Sequence, residues 1–251
     1  MSKYKVIIFD LDGTAIPNKP NGMPSERLIK AVAAAKSKIK LCAATGRPIT
    51  NAKPILDALQ LDEPCVISAG TQIVLPQTGK IVWEAAIEAN DINKILEICG
   101  PYHYELLIKN ELMGEGDKAS NRIIDEHVNV MYLMGCAEPD ATEILNRLSR
   151  IPSITAAGVK SWTHEGVDIH ITHVNATKEH AIIELLNNLG IDKADSVGVG
   201  DANNDVHLFE SVGYKVAMGN ATELLKLKAD VICEDVDDDG LAKLIEHLAE
   251  K

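Results

Sequence analysis

The chain has 251 residues, 46% of them apolar and 25% charged, with 25 basic against 37 acidic side chains and a net charge of −12. That is the composition of an ordinary globular protein, and no apolar run approaches the roughly 18 residues of a membrane span. A chain this acidic, with no basic cluster and only 4% aromatic residues, repels a nucleic-acid backbone and lacks base-stacking platforms. Any anionic substrate therefore needs a local cation or metal. The length suits one large domain or a core with an insert. Met1-Ser2-Lys3-Tyr4 leads into an apolar stretch too short for a signal peptide, so a cytoplasmic location is expected. The five cysteines, at positions 42, 65, 99, 136 and 233, form no CxxC pair and are expected to be reduced thiols.

In chain order, Lys5 to Phe9 reads as a strand rich in Val and Ile that ends at Asp10 and Asp12. Ser25 precedes an alanine-rich helix over Glu26 to Lys36. Ile39 to Ala44 is a second strand leading to Thr45-Gly46-Arg47-Pro48, with Pro48 expected as the first residue of the next helix and Pro54 inside it. Cys65 to Ser68 gives a third strand. This repeat implies a parallel sheet with helices on both faces.

The pattern then changes. Gln72 to Leu75 and Ile81 to Trp83 read as a hairpin around Gln77-Thr78-Gly79-Lys80. Helices are expected over Asp91–Cys99, near Ala119–His127 and over Asp140–Ser149, with strands at Tyr104–Ile108, Val130–Leu133 and Ile154–Ala157. Strand–helix alternation resumes after Val167, with a helix over Thr177–Leu189 ended by Gly190, a strand at Ser196–Gly200 and a last helix at Gly240–Glu250. The fold class is α/β: a Rossmann-like parallel-sheet core, residues 1–84 and 165–251, interrupted by a smaller α+β insert, residues 85–164.

Asp10 and Asp12 follow a strand directly, and residues two apart in extended chain point the same way. Open parallel sheets bind ligands at the carboxyl ends of their strands. A nucleophilic carboxylate beside an acid/base carboxylate suits substitution at phosphorus, although an Asx turn closing the strand uses the same residues. Gly200-Asp201-Ala202-Asn203-Asn204-Asp205 repeats the arrangement after a later strand. Mg²⁺ prefers oxygen ligands, which Asp10, Asp12 and Asp201 supply. Thr45 and Gly46 offer a hydroxyl and backbone N–H groups to a phosphate at a helix start, and Lys178 opens another helix where it can neutralise that phosphate.

On Asp10-x-Asp12-Gly13-Thr14, Ala44-Thr45-Gly46-Arg47, Lys178 and Gly200-Asp201-x-x-Asn204-Asp205, the sequence resembles the haloacid dehalogenase-superfamily phosphatases. It is similar to the Cof-like subgroup, whose type IIB cap lies between the second and third motifs. Met218-Gly219-Asn220-Ala221 and Asp239-Gly240-Leu241-Ala242 also resemble subgroup signatures. The resemblance implies that Asp10 attacks phosphorus to form an aspartyl phosphate and that Asp12 protonates the leaving oxygen, then activates water. It implies that Thr45, Gly46 and Asn204 hold the phosphoryl group and that Lys178 balances charge. It further implies that Mg²⁺ is bound by Asp10, Asp201 and the backbone carbonyl of Asp12, with Asp205 as an orienting residue. The substrate implied is a small phosphorylated metabolite such as a sugar phosphate or phosphoglycolate, with no nucleic-acid or membrane partner. A phosphomutase and a non-catalytic metabolite-binding module are the alternatives.

Three positions depart from the resembled pattern: Glu179 where glycine is common, Ala15 where leucine is common, and Ser68-Ala69-Gly70 where an asparagine–glycine pair is usual. In the insert, Tyr102-His103-Tyr104, Lys109 and a loop from Glu111 to Asp117 are candidate substrate contacts, and Trp83 and Trp162 fall near the proposed hinges. Asp235-x-Asp237-x-Asp239-Gly240 with Glu246 satisfies a calcium-loop pattern. It follows Ala229 to Cys233, however, which reads as a buried strand where a calcium loop needs an incoming helix. Gly198-x-Gly200 lacks the third glycine of a dinucleotide site, and His170 and His173 do not share a strand face, so neither a nicotinamide cofactor nor zinc is expected there.

Overall fold

The computed structural model describes residues 3–19, 21–108, 111–115, 127–161 and 164–250. They form two compact units, residues 1–83 with 177–251, and residues 84–176. The first unit begins with β1 (Val6–Phe9), α1 (Glu26–Ala35), β2 (Lys40–Ala43), α2 (Ile49–Ala58) and β3 (Cys65–Ile67), followed by β4 (Gln72–Val74) and β5 (Ile81–Glu84). Ser25 caps α1, its Oγ accepting from the Leu28 N–H at 3.0 Å. Pro48 stands one residue outside α2 in extended backbone, as its N-cap, instead of at the first helical position. The helix runs on through Pro54, whose fixed φ is compatible with the helix although it removes one ladder donor.

The second unit holds α3 (Ala89–Cys99), β6 (Glu105–Ile108), β7 (Glu111–Glu115), β8 (Val130–Cys136), α4 (Glu138–Leu148), β9 (Ile154–Lys160) and β10 (Val167–His173). Its strands form one antiparallel sheet in the order β7-β6-β8-β10-β9. Ile92, Ile95, Leu96 and Cys99 of α3 and Ala141, Ile144 and Leu148 of α4 bury the apolar stripes of those helices. The sequence reading ends the insert at residue 164, but β10 pairs with β8 and β9, so this sheet continues to His173 and the unit to Ala176. The alternation expected to resume in the core after Val167 therefore begins later, because this first strand belongs to the antiparallel sheet of the second unit. The expected loop at Glu111–Asp117 begins as strand β7, paired with β6, because Gly114 (φ 132°) accommodates a register shift beside Leu106. The expected helix near Ala119–His127 lies outside the described residues, apart from His127.

The chain then returns to the first unit through α5 (Lys178–Leu189), β11 (Ser196–Gly200), α6 (Val206–Ser211), β12 (Tyr214–Ala217), α7 (Glu223–Lys228), β13 (Val231–Ile232) and α8 (Gly240–Glu250). Thr177 caps α5 by accepting from the His180 N–H, and Gly190 ends it in the left-handed region at φ 64°. The main sheet has the order β13-β12-β11-β1-β2 and every pairing in it is parallel. Strands β1 and β11 sit at its centre and are buried throughout, which is why both read as unbroken apolar or small-residue runs. At the opposite extreme, Val231 and Ile232 form an exposed edge strand, 39% and 51% accessible, instead of the buried strand expected over Ala229–Cys233. With only one neighbour, β13 has no second side to cover it.

Candidate active site

The carboxyl ends of β1 and β11 place two aspartates side by side. Phe9 pairs with Val199, and the Asp10 N–H donates to the Val199 carbonyl at 3.0 Å, so Asp10 and Asp201 leave the sheet at the same edge. Both are buried, as is Asp205 in the short turn that follows β11. One carboxylate oxygen from each of Asp10, Asp201 and Asp205 lies within 4.8 Å of the others. Lys178, buried at the first position of α5, donates from Nζ to Asp10 Oδ1 at 2.8 Å and to Asp205 Oδ1 at 2.7 Å. The other oxygen of Asp205 accepts the backbone N–H groups of Asp201 and Ala202, both at 3.1 Å. Thr14 Oγ1 donates to Asp201 Oδ1 at 3.0 Å.

Two glycines make this convergence sterically possible. Gly13 has φ +78°, and a Cβ there would lie 2.2 Å from Asp201 Oδ2. Gly70 has φ +99°, and a Cβ there would lie 2.3 Å from the Thr177 carbonyl carbon, so only glycine lets the start of α5 carry Lys178 this close to the β3–β4 connection.

Burial pushes the Asp10 carboxyl up, reinforced by the neighbouring Asp205 and Asp201, while Lys178 pulls it back down. Burial likewise pushes Asp201 up to about 6, against the hydrogen bond from Thr14. For Lys178, burial favours the neutral form, but the paired charges of Asp10 and Asp205 outweigh it and hold the ammonium above its ordinary value. Three crowded acids with one lysine are short of positive charge. Oxygen donors of this kind suit a hard divalent cation, so the residues fit Mg²⁺. Asp205 has both oxygens engaged by the protein, which leaves Asp10 and Asp201 as the carboxylates best able to hold it.

Asp12 is held by a different cation. Arg47, from the connection after β2, forks onto it with Nε–Oδ2 at 2.8 Å and Nη2–Oδ1 at 2.5 Å. The carboxylate is about one-third exposed. Thr45 is buried; its N–H donates to the Val66 carbonyl and its Oγ1 accepts from the Arg47 N–H at 3.1 Å. Gly46 and Asn204 are exposed. The sequence reading quotes Thr14, Arg47 and Asn220 only as letters of motifs and assigns them no contact. In the structure Asn220 donates from Nδ2 to the Gly13 carbonyl at 2.8 Å and accepts the Val236 N–H at 3.1 Å, bracing the β1 loop.

Of the candidate substrate contacts in the second unit, Tyr104 is 1% exposed and belongs to the apolar core, because its ring completes the cluster with Leu106 and Ile95. Tyr102 is half-buried beside Arg147, and His103 is exposed. Lys109, Gly116, Asp117 and Trp162 lie outside the described residues. Trp83 packs on His180 of α5, with ring centroids 6.0 Å apart.

The first unit is thus a parallel-sheet α/β core, interrupted in sequence by an α+β unit, with an acid–lysine centre at its strand ends. The sequence model of one family, described as haloacid dehalogenase-like hydrolase, matches residues 7–130 and 114–245, and the chain belongs to that family. Among its relatives is a protein of Methanobrevibacter smithii named phosphoglycolate phosphatase, 25% identical, with 96% of each chain covered. Among solved structures, a haloacid dehalogenase-like hydrolase from Bacteroides thetaiotaomicron superposes with a TM-score of 0.72 at 23% identity, covering 98% of this chain and 99% of that one. A sugar phosphatase described as subclass IIB superposes with a TM-score of 0.65 at 22% identity, covering 97% and 98%. Among the described residues, no helix is long and apolar enough to cross a membrane.

Proposed function

We propose that this hydrolase is a Mg²⁺-dependent phosphatase of a small phosphorylated metabolite, of the sugar phosphate or phosphoglycolate class, working through an aspartyl phosphate on Asp10. The observation that carries the reading is the Lys178 ammonium shared by Asp10 and Asp205 in a buried site at the strand ends. An oxygen of Asp10 forms the new bond to phosphorus as the bond to the leaving oxygen breaks. Asp12 gives that oxygen a proton, and Arg47 fixes the carboxyl in place. Asp12 then takes a proton from water, whose oxygen attacks phosphorus and releases Asp10. This is covalent catalysis followed by acid–base reversal. A bound Mg²⁺ supplies charge neutralisation for the phosphoryl oxygens.

In a chain of net charge −12, the substrate's phosphoryl group depends on local cations. Lys178 lies at the site, while Thr45 and Gly46 stand in the connection from β2 to α2 and Asn204 in the turn after β11. Residues 84–176 are, in this reading, the inserted cap that selects the organic part of the substrate. The relative named phosphoglycolate phosphatase supports the substrate class. The test is phosphate release from sugar phosphates, phosphoglycolate and an aryl phosphate, with and without Mg²⁺. Metal-dependent release is expected. Silence across the panel by folded protein, or activity that appears only on adding a sugar bisphosphate, overturns the hydrolase reading in favour of a binding module or a mutase.

A further inference from the structure

A second metal-ligating cluster stands outside the acid–lysine centre. Glu179, in the first turn of α5, meets His207 and Glu210, which lie three apart on one face of α6. Glu179 is one of the positions where the chain departs from the resembled pattern, and the reaction proposed above makes no use of it. His207 Nδ1 lies 3.9 Å from Glu179 Oε2 and 3.9 Å from Glu210 Oε2, and the three ligand atoms fall within 4.8 Å of one another. Those distances are too long for hydrogen bonds. His207 thus stands within ion-pair range of both carboxylates, with no hydrogen bond holding the imidazole to either one at these distances. Four-coordinate zinc, with bonds of about 2.0–2.2 Å to nitrogen and oxygen, sets its ligands roughly 3.4 Å apart. A small rotation of exposed side chains reaches that spacing.

The backbone beneath the cluster is fixed. Ser211 Oγ, at the end of α6, lies 2.8 Å from the His207 carbonyl and 3.3 Å from the Glu179 carbonyl, which ties the two helices together under the three ligands. An imidazole with two carboxylates selects a borderline transition metal over Mg²⁺ or Ca²⁺, which prefer all-oxygen sets. We infer that Glu179, His207 and Glu210 form a surface site for a divalent transition metal of the zinc class, with solvent completing the coordination. Glu179 adjoins Lys178, and His207 follows Asp205 by two residues. An ion here staples together the two segments that carry the buried Lys178–Asp205 pair.

The test is calorimetric titration of the full chain with Zn²⁺ under saturating Mg²⁺. His207→Ala and Glu210→Gln are run in parallel, with circular dichroism verifying their fold. The wild type is expected to bind one equivalent more than either variant. Co²⁺ is expected to broaden the ring signals of one histidine in the wild type, signals that His207→Ala removes. Equal Zn²⁺ stoichiometry in folded wild type and His207→Ala overturns the site, as does an absence of Zn²⁺ binding by the wild type. Neither outcome bears on whether the protein releases phosphate.

Discussion

Two acid-rich regions of the first unit use the same side chains to opposite ends. Asp10 is far in sequence from Asp201 and Asp205, yet the three are brought within 4.8 Å of one another and buried around Lys178. Asp235, Asp237, Asp238 and Asp239 are nearly contiguous, yet among the described residues they form no such cluster. The second group serves separate surface hydrogen bonds instead. Asp235 Oδ1 accepts the Asp237 N–H at 3.0 Å, and Asp239 Oδ1 accepts the Ser25 hydroxyl at 2.5 Å. Acid density along the chain is cheap, because solvated carboxylates repel one another only weakly. Acid density in space is costly and must be held by paired charge and hydrogen bonds. A formal ligand pattern is therefore weaker evidence for a cation site than distant residues forced together by parallel strands.

The largest effect expected from breaking this contrast is at the nucleophile. Asp10→Asn keeps the shape of the side chain and removes its charge. Turnover should fall by more than about a thousandfold, since nucleophile and charge are lost together. Thermal unfolding should be unchanged or shifted upward, because burial already disfavours the charged form of Asp10. Phosphate-release assays alongside a melting curve check both halves. Retention of more than a thousandth of the activity would sink the covalent assignment.

Lys178→Met separates the two regions by stability alone. It leaves Asp10 and Asp205 buried without their shared cation, and breaking a buried pair costs about 3–5 kcal/mol. Urea unfolding should show that loss. Adding Asp205→Asn to the same chain should recover part of it, because one stranded charge is then removed. A Lys178→Met protein as stable as the wild type would mean the centre is not held by charge pairing.

What the sequence discloses follows the same division. Strand ends are legible because apolar runs stop at a polar residue, so Asp10, Asp12 and Asp201 stand out, while Lys178 stands out at a helix start, and most elements of the first unit are legible too. Side-chain choices between nearby partners are not legible. That Arg47 forks onto Asp12 while Lys178 takes Asp10 depends on three-dimensional direction, which residue spacing does not encode. Asp205 reads as an orienting residue, and its two backbone hydrogen bonds suit that role, yet its oxygen also stands within the acid trio. Pairing is equally silent. The alternation of Val167–His173 says strand, but register with β8 and β9, not pattern, assigns it to the second unit. The exposed edge at Val231–Ile232 depends in the same way on β13 having one neighbour instead of two.

A smaller effect is expected at Ser25, which joins the surface acids to α1. Its hydroxyl accepts the Leu28 N–H and donates to Asp239. Ser25→Ala removes an N-cap and should cost about 1 kcal/mol. Ser25→Gly should recover most of that loss, since glycine is nearly as good a cap residue. Equal losses in the two variants, read by urea unfolding, would show that the bond to Asp239 matters more than the cap.

The smallest effect sharpens the comparison most. If the acids of residues 235–239 are caps and surface charge, replacing one that makes no long-range contact should do almost nothing. Asp238→Asn lies within the turn Val236–Asp238, where its N–H donates to the Asp235 carbonyl at 3.1 Å, a bond that asparagine keeps. Stability should stay within about 0.5 kcal/mol of the wild type, as for most surface substitutions. Calcium titration under saturating Mg²⁺, which occupies the acid–lysine centre, should give the same heat for both proteins. A saturable calcium signal in the wild type that Asp238→Asn weakened would reverse the argument, because the linear pattern would then have outperformed the spatial one.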